Sequence, residues 1–579
     1  MKNFFLIIMA LAIAFSNYGQ LAGTITTNQS ELTFSTKDNY DLIELSNHRF
    51  TTNIGAPQLP IKTFKYVLPV EAEVTGIEIV NFMREQVSGS YLIYPVQPVA
   101  IPDGSPPPAF VPPSGDIYNS SAPYPGQIAE LTDDSYIMGY KIVSITIYPI
   151  EYIPADREVY LYTSIDFVID YTLGTSPVQF PDCMSSFRKQ AVKEKIKMLV
   201  DNDSDIESCS SQFNNIPEDA SLLNLPIQEQ YPWSLGVIPD YLIITTQALK
   251  QVFIDEFIKE KNKLGMPAVI ATLEEDIIGK YNGCDSAEQI RKFILAITQN
   301  GGYNWYILLG GDVNLIPARL SEISTEIAPT DLYYSAVSGP WNYNGNEKFG
   351  EINDGPAGGR VLDNPQNIIG RLPVRSVNDV IDYAKKLEEY ETLQYYEGNQ
   401  YHNIPDEFIK NFLAIIGTSA VSNNFWAVGM EPYLIDPYVP QDINRRKLYS
   451  TDVSGSGIYE ELTRGSAINN LNKISPIGFN IVFHFDHSGP YTMGAGDIEY
   501  SDVIFKSDVK DLHNSHTHHI YVSVGCRNNN FSFASISKEF LKNTSGGGIS
   551  FIGSSISLGY TYQYTFGNFC NHVFNLNYS

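Results

Sequence analysis

Basic residues are scarce in this chain: 38 Lys and Arg stand against 65 Asp and Glu, a net charge of −27. Such a surface repels polyanions, which excludes DNA, RNA or an anionic membrane face as the main partner. Long apolar runs are missing as well. Apart from Phe4 to Phe15, which is shorter than the ~20 residues of a bilayer span, no stretch is apolar enough to form an integral membrane segment. Cysteine is rare, with five residues (Cys183, Cys209, Cys284, Cys526, Cys570), so a disulfide-dense scaffold is excluded and the odd count leaves at least one thiol unpaired. The Gly-Lys-Ser/Thr of a phosphate loop does not follow Gly310-Gly311-Asp312, and no His-Glu-x-x-His of a helical zinc peptidase occurs. There is no internal repeat and no low-complexity tract.

What is present is 579 residues with 43% hydrophobic and 12% aromatic content, enough for two or three cores. Lys2 followed by the Phe4–Phe15 run predicts a secretory signal over residues 1–20, cut near Gly19-Gln20, and hence an exported protein. From 21 to 175 the chain shows only short alternating runs, among them Lys62–Leu68, Val74–Val80, Lys141–Ile147 and Val159–Val168. Pro- and Gly-rich punctuation separates them, which predicts an all-β sandwich or barrel. Residues 176–236 carry a basic run, Arg188–Lys197, then the acidic, Ser-rich Asp201–Ser208. They predict a core-poor linker open to processing, with Cys183 and Cys209 placed to pair across a polar stretch.

From 237 to 579 strands alternate with helices. Strands are predicted at Tyr241–Thr245, Ala268–Leu273, Trp305–Asp312, Phe412–Gly417, Ile520–Cys526 and Ile549–Gly553, and helices at Leu249–Leu264, after a Ser286-x-x-Gln289 capping box, and from Ser376 to about Tyr390. This is the grammar of a mostly parallel sheet with helices on both faces. Two of its apolar runs stop on reactive side chains: Asn480-Ile-Val-Phe-His-Phe-Asp-His487 and Ile520-Tyr-Val-Ser-Val-Gly-Cys526. If these strands are neighbours, a thiol and an imidazole meet at the carboxyl edge of the sheet, where parallel α/β proteins bind ligands. Cys526 is then the nucleophile and His487 its base, with peptide substrates and no required cofactor. Cys526 read alone is equally a buried structural thiol. Asp486 is a turn residue or an orienting group, His484 a core histidine close to the site, and the amides of Gly489 and Cys526 are the candidate oxyanion donors. Asp312, Asp331 and Asp354 are candidates for a structural calcium.

Two other function classes compete. Six of the nine histidines (His484, His487, His513, His516, His518, His519) cluster near Asp486, Asp497 and Asp511, as a zinc hydrolase would have them. A catalytically silent binding or adhesion module is the other.

Several strings, in order along the chain, resemble the gingipain-like cysteine peptidases, secreted bacterial enzymes. They are Gly55-Ala-Pro-Gln-Leu-Pro60 and Tyr94–Pro98 early on, then Leu308–Arg319, Thr330-Asp-Leu-Tyr-Tyr334, Ile369–Val374, Cys526-x-x-x-x-Phe531, Ile536–Asn543 and Gly547–Ser555. The resemblance implies a propeptide over 21–175 that serves as an internal partner, a caspase-like α/β sandwich over 237–579, His487 as base and Cys526 as nucleophile. It also implies chain beyond Ser579. Departures are Asp486-His487-Ser488 where the family has Gly-His-Gly, Asn529 where a Gly often stands, no carboxylate near Ser419-Ala-Val421 to orient the histidine, and no Arg-selecting acid near Trp426-Ala427. The expected specificity is therefore for apolar or small side chains near Trp426 and Val428.

Overall fold

A computed structural model describes residues 18–557 apart from 46–47, 99–108, 138–139, 175–185, 212–239, 264–265, 302–304, 323–325, 338, 347, 352, 356–360, 362–364, 418–434, 436–438, 441, 450–459, 475–477 and 495–501. The first part is built from β1 (Tyr18–Thr26), β2 (Pro60–Leu68), β3 (Ala72–Val87), β4 (Ala129–Ile137), β5 (Tyr140–Ile147), β6 (Ile150–Ile153) and β7 (Glu158–Leu173). One antiparallel sheet has the order β1-β7-β3 with β6 also on β7; in the other, the short Arg49–Phe50 strand precedes β2-β5-β4. Tyr66, Val143 and Ile145 from one sheet pack against Ile165, Phe167 and Ile169 from the other. That is the two-sheet β architecture expected from the alternation.

β5 is buried along its whole length, against the half-buried rule for antiparallel strands. The cause is a pair of helices, α1 (Ser186–Lys197) and α2 (Ile206–Ser211), lying on its outer face. Val192, Ile196, Ile206 and Cys209 pack there on Val67, Tyr140 and Ile142. This corrects the expectation of a core-poor linker for residues 186–211. The polar residues that argued for a linker serve the edge of β2: Asp201 accepts the Lys65 amide at 2.8 Å and Asn202 that of Val67 at 2.8 Å. Cys209 is a free thiol in this apolar layer, its pKa pushed up to about 11 by burial. Cys183 lies outside the described residues.

The second part contains two parallel sheets rather than one. The first uses β8 (Tyr241–Thr245), β9 (Ala268–Thr272), β10 (Tyr306–Gly310) and β13 (Ile368–Leu372) in the order β9-β8-β10-β13, with a small antiparallel hairpin, β11 (Arg319–Ser321) and β12 (Ala328–Thr330), after β10. The second uses β14 (Asn411–Ile416), β15 (Asn444–Tyr449), β16 (Glu460–Glu461), β17 (Ile481–Phe485), β18 (His519–Val524) and β19 (Gly548–Ile552) in the order β16-β15-β14-β17-β18-β19. The helix α5 (Val377–Thr392), which follows α3 (Gln247–Phe253) and α4 (Ser286–Gly301), separates the sheets in sequence. It packs beside β19, with the Tyr383 hydroxyl donating to the Ile549 carbonyl at 2.7 Å, so the next strand starts a new sheet instead of extending the old one. α5 opens on the Ser376 cap as predicted, whereas α4 is capped by Asp285, whose carboxylate accepts the Glu288 amide at 2.8 Å. Ser286 is the first helical residue instead of the cap. Among the described residues no helix is long and apolar enough to cross a membrane.

Candidate active site

In chain order the second sheet reads 3-2-1-4-5-6, so its strand order reverses between β14 and β17. Ligands of such sheets bind outside the carboxyl ends at that reversal. The corresponding point of the first sheet, between β8 and β10, is closed: Thr245 Oγ1 donates to the Gly310 carbonyl at 2.6 Å, and a Cβ on Gly310 would lie 2.6 Å from the Phe253 ring. At the second sheet β17 and β18 are parallel neighbours, with Phe485 paired to Val524. His487 and Cys526 therefore each leave their strand two residues beyond a matched pair, at the same edge. Cys526 is 2% exposed and His487 half-buried. The residues after β14 that the sequence singled out, Ser419, Val421, Trp426 and Val428, lie outside the described residues.

A buried polar relay ties the two loops. Ser488 Oγ donates to the Cys526 carbonyl at 2.8 Å and accepts from Asn528 Nδ2 at 2.9 Å; the same amide nitrogen donates to Ser523 Oγ at 2.7 Å, which lies 2.8 Å from His484 Nδ1. His484 is fully buried, and burial pushes its pKa down to about 4, so it is neutral near pH 7 and unsuited to be the base. Asp486 accepts the His487 amide at 2.6 Å, the local bond of a strand-end turn residue. Gly489 is a correction. Its amide donates to the Thr492 carbonyl at 2.9 Å, because the loop turns back immediately and the Gly494 amide returns to the His487 carbonyl at 2.8 Å. That N–H is spent on the turn and does not serve an oxyanion. Ser523 and Asn528 were not singled out from sequence, and Ser488 only as a departure from the family motif; the signal for all three was their closeness to His487 and Cys526.

Two of the three calcium candidates, Asp312 and Asp331, are taken up by cations. Asp312 is fully buried and gives one oxygen to Lys538 Nζ at 2.5 Å and the other to Arg375, whose Nη2 is 2.6 Å away; these cations hold its pKa below the ordinary carboxylate value despite burial. Asp331 takes a two-pronged contact from Arg371 at 2.7 and 2.8 Å. Asp354 accepts the Glu351 amide at 3.0 Å. Among the described residues no three potential metal-donor side chains gather. Arg371 accounts for several of the family-like strings at once: besides Asp331 it donates to the carbonyls of Gly311 and Ile316 at 2.9 and 2.6 Å, and it sits 5.4 Å from the Phe531 ring. These strings are scaffold that joins β10, β12, β13 and the loop after Cys526.

The histidine cluster divides. His516 Nδ1 and His518 Nε2 face one oxygen of Glu389 on α5 at 3.0 and 3.2 Å, His519 faces the Phe479 and Leu471 carbonyls, and His513 is exposed beside the Asp511 carbonyl. His519 opens β18 and Cys526 follows its end, so six strand residues, roughly 16 Å, separate this group from the carboxyl edge. The zinc reading loses its common centre.

Fold and strand ends thus define an α/β protein that carries an imidazole and a thiol at the carboxyl ends of two neighbouring parallel strands. Residues 235–578 match the family model described as Peptidase family C25, and residues 34–191 match its propeptide, Propeptide_C25. The chain belongs to peptidase family C25, cysteine peptidases made with a prodomain. No curated protein matches. Among solved structures, "Structure of Protease" is similar at 16% identity over 56% of this chain and 61% of that one, with a TM-score of 0.42. The Arg-specific cysteine proteinase gingipain R is similar at 18% over 59% and 68%, with a TM-score of 0.41. The complex of the pro- and mature domains of RgpB from Porphyromonas gingivalis is similar at 18% over 32% and 93%, with a TM-score of 0.27. This chain thus spans less than two thirds of the first of these.

Proposed function

We propose that the chain is a secreted cysteine endopeptidase, made as a precursor, in which Cys526 is the nucleophile and His487 the general base. The observation that carries this reading is the Phe485–Val524 register, which sends both residues out of adjacent parallel strands at the same edge. The two parallel sheets and their helices support a caspase-like sandwich for the catalytic part. In the reaction His487 takes the thiol proton as sulfur attacks the scissile carbonyl. The Cys526 amide meets the oxyanion, and imidazolium then protonates the departing amine. Water, deprotonated by His487, releases the acyl group and restores the thiol. The chemistry requires no cofactor.

Tyr491 and Phe533, 49% and 48% exposed with ring centroids 6.4 Å apart, follow His487 and Cys526 on their respective loops. Aromatic surface left open beside a reactive edge supports a preference for apolar substrate side chains. The test uses a peptide library with the purified, processed enzyme. Cys526→Ala is expected to abolish cleavage with the fold intact, and His487→Ala to lose about 10²–10⁴-fold, with far less than additive loss in the double variant. Full activity of Cys526→Ala overturns the reading. Binding of peptides without cleavage by the wild type favours the binding module.

A further inference from the structure

Arg527, directly after Cys526, has φ +54°, a left-handed conformation that an L-residue with a side chain holds only where its surroundings impose it. Three contacts surround it. The Cys526 carbonyl on one side of the peptide is held by Ser488, and the Arg527 amide donates to the Ile556 carbonyl at 3.0 Å. The guanidinium grips Glu326 with both prongs, Nε to Oε2 at 3.0 Å and Nη2 to Oε1 at 2.8 Å. Glu326 is held in turn by the Ser557 amide, which donates to Oε2 at 3.2 Å.

The first two contacts come from the second sheet and its loops. Glu326 does not. It lies between β11 and β12, the hairpin inserted between β10 and β13 of the first sheet, and reaches across to the residue after the thiol. An exposed lysine–carboxylate pair is worth little, but a two-pronged Arg–carboxylate pair, backed by a third hydrogen bond and joining segments about 200 residues apart, fixes geometry.

We propose that Glu326 is a positioning residue for the nucleophile: through Arg527 it holds the Cys526–Arg527 peptide in its left-handed turn and makes the pose of the thiol depend on the docking of the two sheets. This rests on Cys526 being the nucleophile. The backbone that carries Sγ and the Cys526 amide is the backbone that the ion pair restrains, so loosening it misplaces the attacking atom and the oxyanion donor together. Misplacing a reacting atom costs rate far more than it costs affinity.

The experiment compares Glu326→Ala, Arg527→Ala, Arg527→Gly and the Glu326→Ala/Arg527→Gly double variant in the processed enzyme. It reads kcat, KM, melting temperature and the pH profile of iodoacetamide alkylation, measured at the Cys526 peptide by mass spectrometry. Glu326→Ala is expected to lower kcat about tenfold or more with KM within about threefold. Arg527→Gly should recover part of what Arg527→Ala loses, since glycine adopts positive φ freely, and Glu326→Ala should add less than about twofold in the glycine background. Glu326→Ala matching wild type in both kcat and alkylation, losses in kcat that multiply in the double variant, or Arg527→Gly as damaged as Arg527→Ala would each overturn the proposal. If the wild type cleaves no peptide but Glu326→Ala still shifts the pH profile of Cys526 alkylation, the peptidase reading falls and the role of Glu326 in positioning the thiol stands.

Discussion

Gly525 shows at the scale of one residue how closely the two loops meet. A Cβ there would lie 2.3 Å from Ser488 Oγ and 2.8 Å from the Asp486 carbonyl, so only glycine lets the Cys526 loop approach the His487 loop. One step inward, His484 couples the same region to pH. Burial holds its pKa near 4 against an ordinary value of 6.5, so the folded protein stays neutral there while the unfolded chain takes up a proton. The unfolded state binds more protons between those two values, which means the stability is fully present above about pH 6.5 and is lost as pH falls towards 4. His518, pushed down to about 4 by burial, acts in the same direction. Urea unfolding from pH 7 to 4 is expected to show this loss, and His484→Gln should flatten the His484 part, about 3 kcal/mol. An unchanged slope in that variant would refute the assignment.

At the scale of the element, α5 is the beam between the two parallel sheets. Its Lys386 is buried, and Nζ lies within 2.9–3.4 Å of five backbone carbonyls, those of Phe540, Leu541, Asn543, Gly546 and Gly548. The first three end α6 (Ile536–Lys542), the helix that follows the Cys526 loop, and the last begins β19. Carbonyls at a helix end need donors, and one ammonium supplies them. Burial lowers the Lys386 pKa to about 7, while the carboxylates of Asp382 and Glu389 favour the charged form. Lys386→Met keeps the stem but removes the donors. We expect a loss of about 3 kcal/mol in denaturant unfolding, and a change below about 0.5 kcal/mol would show that the cage is not structural.

At the scale of the molecule, the prodomain helix α1 places Lys195 5.2 Å from the Tyr306 ring centroid and 3.3 Å from its hydroxyl. Tyr306 begins β10, so this contact lies at the amino ends of the first sheet's strands, opposite their carboxyl edge. Latency is still the behaviour we expect of a precursor whose propeptide match ends at 191 and whose peptidase match begins at 235. Cutting after α2 and before 235 should raise peptide cleavage, and equal rates from intact and cut chains would rule latency out. Lys195→Ala should let the cut prodomain separate sooner in size-exclusion chromatography.

The sequence by itself determined what depends on neighbours along the chain. Period-two alternation marked the β-domain, buried runs such as Tyr241–Thr245 and Ile481–Phe485 marked parallel strands, and Ser376 marked the start of α5, because burial pattern and capping are local. It also marked His487 and Cys526 as strand-end groups and the strings shared with family C25. Tertiary structure decided everything set by pairing between distant segments. The division into two sheets, the switch point beside His487, and the burial of residues 186–211 on β5 depend on which surfaces meet. So do the fates of individual carboxylates: Asp312 and Asp331 look like free ligands in sequence, and only the arrival of Lys538, Arg375 and Arg371 from far along the chain makes them ion-paired scaffold. Glu326 carries no local signal at all, since its partner Arg527 lies about 200 residues away and the strained turn it holds exists only once both sheets are in place.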